Sequence, residues 1–145
     1  MNEEQKTMKE DESVCDVKSI LKTIFETQNK AKLPAFQGIF PETIPFILYS
    51  SETIEPFFAY GIAPKSLVSF RTCFFCIDSL TSSCVHLTLL LPSDVEGSYL
   101  DTTCMPFRLK KMNCTVIVSL QDFCGIQCVS PKLVNRKVII SGGKC

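Results

Sequence analysis

Apolar residues recur along this chain in two rhythms, and the change between them falls near Thr43. Val14, Val17, Leu21 and Ile24 are spaced by three and four positions, the mark of a helix with one buried stripe. Ser13 is the candidate N-cap with Asp16 three residues on, so an amphipathic helix is expected over 13–28. Pro34 and Gly38 end that rhythm, and LPAFQGIFPE reads as a loop or extended connector. Beyond it the chain turns to short runs rich in Ile, Val, Phe, Tyr and Thr, punctuated by Pro, Gly, Ser or Asn. TIPFILYS, EPFFAYG, VSFRTCFFCIDSL, CVHLTLLLP, CMPFRLKK, NCTVIVSL and CGIQCVS each read as a strand or part of one.

Alternation within these runs assigns faces. In CTVIVSL, Cys114, Val116, Val118 and Leu120 oppose Thr115, Ile117 and Ser119; in VHLTLLL, Val85, Leu87, Leu89 and Leu91 oppose His86, Thr88 and Leu90. Seven runs without helical periods between them predict a mainly β fold, an antiparallel sandwich or barrel-like domain preceded by one N-terminal amphipathic helix. Pro45 and Pro56, near the starts of their runs, mark expected edge strands. The expected organisation is a disordered polar tail over 1–12, the helix over 13–28, a β-rich domain over 29–140 and a flexible Cys-ended tail over 141–145.

Fifteen basic against fifteen acidic side chains leave no net charge, so no basic stripe draws the chain to nucleic acid, and LKK and NRK are too short to form one. With 46% apolar residues the chain favours either a large core or surface that neighbours cover. MNEEQKTMKEDESV has neither the basic nor the apolar region of a secretory signal, and no run reaches membrane-span length, so cytosolic synthesis is expected. Nine cysteines (Cys15, Cys73, Cys76, Cys84, Cys104, Cys114, Cys124, Cys128 and Cys145) are unusual for such a compartment. An odd count leaves at least one to pair with another chain if all oxidise.

The CxxC at Cys73–Cys76 has redox spacing, yet its β-prone context would send the two thiols to opposite faces of a strand. A zinc site from Cys73, Cys76, Cys124 and Cys128 would need two distant pairs to converge. Packing as small apolar groups is the plain alternative for such thiols. His86 has no second histidine to support nucleophilic catalysis, the acidic residues gather towards the N-terminus, and SGGK is no phosphate loop. Neither catalysis nor a cofactor is expected. Cys145 sits on a short Ser-Gly-Gly tether that lets its sulfur reach a neighbour, or is an idle thiol on a frayed end. In the aromatic pairs Phe57–Phe58 and Phe74–Phe75, alternation aims one ring inward and the other outward, giving an apolar assembly contact unless both faces of the sheet are covered.

Taken in order, IPFILYSSETIEPFFAYG, SSCVHLTLLL and CTVIVSLQDFCGIQCVSPKLVNR resemble the cysteine-rich spore coat protein Y/Z family of Bacillus-type bacteria, which includes exosporium proteins. FCxIxC after a Cys-led strand is the most specific element, supported by PFILY followed by PFFAYG and by VCDV at 14–17. The resemblance implies a non-enzymatic shell protein. Such a protein is made in the mother-cell cytosol, self-assembles into ordered layers, and is disulfide-cross-linked in the outer coat, crust or exosporium. Its implied partners are copies of itself and other coat and coat morphogenetic proteins, and its cross-link candidates are the nine cysteines. This chain departs from the family pattern in lacking a CPxxC-type segment before the first strand, in having Asp122 where a cysteine is common, and in ending with Cys145. The competing reading is a cytosolic zinc-binding or thiol-redox protein.

Overall fold

The computed structural model describes residues 16–63 and 67–138. The helix, α1, spans Val17–Ala31 and buries Val17, Leu21, Ile24, Gln28 and Ala31. It starts later than the apolar spacing suggests because Asp16 is itself the cap: its backbone is extended and its carboxylate accepts from the Ser19 amide at 3.3 Å. Ser13 lies outside the described residues. The helix also runs past residue 28, since Gln28 continues the buried stripe in polar form and no breaker occurs before Pro34.

Gln28 is 7% exposed and fully used. Its Nε2 donates to the Ile77 carbonyl at 3.1 Å and its Oε1 accepts from the Ile44 amide at 3.0 Å. One side chain thus ties the helix to a central strand and to the segment entering the first strand.

Seven strands follow among the described residues: β1 (Phe46–Ser50), β2 (Ala59–Ile62), β3 (Ser69–Thr72), β4 (Phe75–Leu80), β5 (Cys84–Ser93), β6 (Arg108–Ser119) and β7 (Phe123–Cys128). Five of them form an antiparallel sheet in the order β6-β5-β4-β1-β7, and β2 with β3 forms a separate ribbon. The mainly β, antiparallel architecture with one N-terminal helix is as expected, and it is an open sheet rather than a barrel. Two expected runs, CMPFRLKK and NCTVIVSL, merge into the long β6, which follows β5 from Cys84↔Ser119 to Ser93↔Arg108 through one register irregularity. Conversely, VSFRTCFFCIDSL is divided: β3 belongs to the ribbon and β4 to the main sheet. Pro45 does not mark an edge, because β1 lies between β4 and β7; the proline precedes the ladder and its carbonyl accepts from the Val129 amide at 2.9 Å.

Both faces of the sheet are covered. On one, Phe46, Leu48, Phe75, Ile77, Val85, Leu87 and Leu89 pack beneath Val17, Leu21 and Ile24 of α1 and beneath Ala59 and Phe70 of the ribbon. On the other, Ile47, Phe74, Cys76, Leu90 and Leu109 pack with Cys73 and with Val129 and Leu133 of the C-terminal segment. The alternation read from β5 and β6 holds, with Val85, Leu87 and Leu89 on the first face, Leu90 on the second, and Thr115 and Ile117 exposed. The ribbon approaches β6 closely at Gly61, where a Cβ would lie 2.8 Å from the Phe70 ring and 3.1 Å from Cys114 Sγ.

Replacing Gln28 by Ala leaves the part-buried Ile44 amide and the buried Ile77 carbonyl without this partner, a loss of roughly 1–3 kcal/mol. Thermal unfolding of Gln28→Ala is expected several degrees below the parent, with Glu26→Ala on the exposed helix face as an unchanged control. An unaltered melting temperature for Gln28→Ala would remove the clamp from the fold.

Candidate functional site

The chemistry-bearing groups of this chain are thiols, and the fold sorts them by depth. All seven cysteines among the described residues are free. Cys15 and Cys145 lie outside those residues. Cys73 and Cys76 are 0% and 2% exposed. They do not project to opposite faces as a continuous strand would require; the bend between β3 and β4 brings both into the second apolar cluster. Burial pushes the Cys73 thiol from its ordinary 9.0 up to about 11, and its Sγ faces the Thr102 carbonyl at 3.8 Å. Cys76 is also raised by burial, which outweighs the opposing influence of Lys111. A redox CxxC needs a lowered pKa, so this pair is held in the unreactive protonated form.

Cys84 opens β5 half-buried, with Ser83 Oγ at 3.8 Å. Cys114 is half-buried on the inner face of β6, and its Sγ donates to the Ile62 carbonyl of the ribbon at 3.6 Å. Cys104 is exposed in the connection before β6. Cys124 and Cys128 are exposed on β7, the outermost strand beside β1. Burial raises the Cys128 thiol somewhat. Cys124 occupies a register slip: Gly125 faces Tyr49 and Phe123 faces Ser50, so Cys124 has no opposite number on β1. Its Sγ donates to the Ser50 carbonyl at 3.5 Å.

Among the described residues no three of His, Cys, Asp and Glu converge as metal ligands, so the four thiols of the zinc reading do not form one site. His86 is half-buried on β5. Two surface clefts, one around Asp16, Ser82 and Gln121 and one around Ser50, Glu52 and Asp122, are lined by neither histidine nor cysteine. Among the described residues no helix is long and apolar enough to cross a membrane.

The four phenylalanines correct an expectation. Phe74 and Phe75 do point to opposite faces, but both are fully buried because each face carries its own cover. Phe57 is half-buried, stacked on Phe75 at 5.6 Å and edge-on to Phe123 at 5.2 Å. Phe58 lies beneath the Arg71 guanidinium at 4.2 Å. These rings build cores, and the outward apolar surface lies elsewhere: Tyr60 and Ile62 of β2, with Leu67 and Val68 just before β3, are 56–79% exposed. The alternation of AYGI, with Ala59 and Gly61 turned inward, was the available signal for Tyr60 and Ile62.

The geometry describes a cysteine-rich β-sheet protein whose accessible reactive groups are surface thiols. Comparison with known proteins supplies the family. The chain is 31% identical over 132 residues to spore coat protein Z of Bacillus subtilis strain 168, an alignment that covers 86% of this chain and 88% of that protein. It belongs to the spore coat protein Y/Z family. No family model matches the chain, and no solved structure does.

Depth predicts reactivity. Under native conditions an alkylating reagent is expected to modify Cys104, Cys124 and Cys128 first and to leave Cys73 and Cys76 unmodified until denaturant is added, as read by peptide mass spectrometry. Labelling of Cys73 as fast as Cys124 would contradict the burial. The raised Cys73 pKa also has a linkage consequence: the folded state holds the proton more tightly than the unfolded chain, so its contribution is complete below about pH 9 and is lost as pH rises towards 11. Stability measured by denaturant titration is expected to fall across that window, by roughly 2–3 kcal/mol from this thiol. A Cys73→Ala variant should lose that part of the decline.

Proposed function

We propose that this chain is a structural, non-enzymatic subunit of the spore's outer layers, outer coat, crust or exosporium. It is made in the mother-cell cytosol, associates with its own copies and with other coat and coat morphogenetic proteins, and is then locked by disulfides. It draws on no cofactor. The observation that carries this reading is the placement of Cys104, Cys124 and Cys128: free, exposed thiols on the surface of a member of a spore coat family. Thiols remain reduced during synthesis, subunits dock first, and oxidation afterwards converts reversible contacts into covalent ones. Cys15 and Cys145 are further candidates for such links.

A subunit that tiles a surface uses contacts that are individually weak and collectively strong. The exposed apolar residues Tyr60 and Ile62 of the ribbon, with Leu67 and Val68 just before β3, supply surface of the kind such contacts bury. The purified chain is expected to form reductant-sensitive multimers on non-reducing gels and extended sheets by electron microscopy. A monomer under every oxidising condition, or a soluble species with stoichiometric zinc, would overturn the proposal.

A further inference from the structure

The two outer strands of the main sheet are not equivalent. On β6, Lys110 and Lys111 are exposed, and the start of the strand is strapped by the C-terminal segment, with Leu109 bridged to Val134 and the Asn135 amide donating to the Leu109 carbonyl at 2.8 Å. Charge and a covering segment are common protections against edge-to-edge pairing. By contrast, β7 reads FCGIQC, with no charged residue and no proline. It is hydrogen-bonded to β1 alone, and among the described residues no other backbone bond reaches 124–128. Its side-chain bonds, Cys124 to Ser50 and Tyr49 to Gln127, are made with β1, so nothing among the described residues pairs with the outer row of backbone groups.

From this asymmetry we infer that β7 is a self-docking edge, on which two copies pair antiparallel about a two-fold axis through Ile126 and so set Cys124 of each against the partner's Cys128. This deepens the assembly reading above and rests on it. The occupant is a second copy because the strand is complementary to itself. With the axis at residue 126, positions equally far on either side face one another, so the two thiols, two residues before and two after, meet in both halves of the contact. Gly125 then faces the partner's Gln127, where the missing side chain leaves room for the amide. Opposed residues on antiparallel strands have Cα atoms about 4.5–5.5 Å apart, within the span a disulfide bridges. Both sulfurs are free and exposed, and the register slip at Cys124 leaves that residue unopposed on the β1 side.

The covalent step uses a small-molecule disulfide such as oxidised glutathione as oxidant. One protein thiol, as thiolate, attacks it, forming a mixed disulfide and releasing one small thiol. The facing protein thiolate then attacks the protein sulfur of that mixed disulfide and expels the second small thiol. Each inter-chain bond removes two protons and two electrons from the protein pair, and the oxidant takes them up as two thiols.

The test uses the full chain with Cys15, Cys104 and Cys145 changed to Ser as the parent, oxidised with oxidised glutathione and read on non-reducing gels. The parent is expected to give a covalent dimer. Cys124→Ser alone and Cys128→Ser alone should each lose it, because each facing pair needs one of both. An equimolar mixture of the two variants should recover it at about half the parental yield, since random pairing makes half the pairs mixed. Recovery in the mixture also shows that both variants fold. A parent that stays monomeric, a single variant that dimerises like the parent, or a mixture that recovers nothing would overturn the self-docking edge. Electron microscopy of the otherwise unsubstituted chain carrying Cys124→Ser separates the two readings: sheets in that variant, with no 124–128 link in the parent, sink the edge and spare the assembly proposal. A linked parental dimer from a chain that forms no sheets does the reverse.

Discussion

A buried hydroxyl holds the turn on which this architecture depends. Thr72 Oγ1 donates to the Leu90 carbonyl at 2.7 Å and accepts from the Phe74 amide at 3.0 Å, and Thr72 is fully buried. The Leu90 amide in turn donates to the Phe74 carbonyl at 3.0 Å. Together these bonds satisfy the backbone where an otherwise continuous β-prone run leaves one layer and enters another. Without that bend β3 and β4 would be one strand, the ribbon would not lie over the sheet, and the first apolar face would lose Ala59 and Phe70 from its cover.

The same bend decides the chemistry of the thiols. Turning the chain at Cys73 puts it beside Phe74 and Cys76 in a dry cluster, where the neutral form is favoured. The CxxC spacing is therefore a packing feature in this fold. Arg71, just before the bend, stabilises it from outside: Tyr99 Oη donates to the Arg71 carbonyl at 3.0 Å and accepts its amide at 3.1 Å, while the guanidinium meets Asp101 at 2.6 Å and covers Phe58. That ion pair is solvent-exposed, so the backbone bonds and the burial beneath it contribute more than the charges do. The reactive sulfur is left at the periphery, on β7 and in the connection before β6. Buried, inert thiols inside and accessible ones at the rim are what the proposed cross-linking would require, since oxidation at the rim would leave the core untouched.

Much of the fold was legible in local pattern. The helical stripe, the β-rich remainder and the inner faces of β5 and β6 follow from spacing alone, because each depends only on which residues share a side. The ends of elements were less legible. Asp16 caps the helix through its own extended backbone, and Gln28 extended the helix because its amide found two backbone partners distant in sequence. Phe57, Phe58, Phe74 and Phe75 show the limit most clearly: alternation assigns their directions, yet exposure depends on whether another layer lies over each face.

By itself, then, the sequence determined the secondary-structure alphabet, the family and the supply of thiols, since propensity, periodicity and composition are properties of neighbouring residues. Only the tertiary structure decided which thiols are dry and which are wet, which strand is left unguarded at the sheet edge, and which aromatic rings are core. Those outcomes come from contacts between segments far apart along the chain, such as Thr72 with Leu90, Gln28 with Ile77 and Asn135 with Leu109. No local pattern encodes them, because burial is a property of the layer above a residue rather than of the residue's own position in a strand.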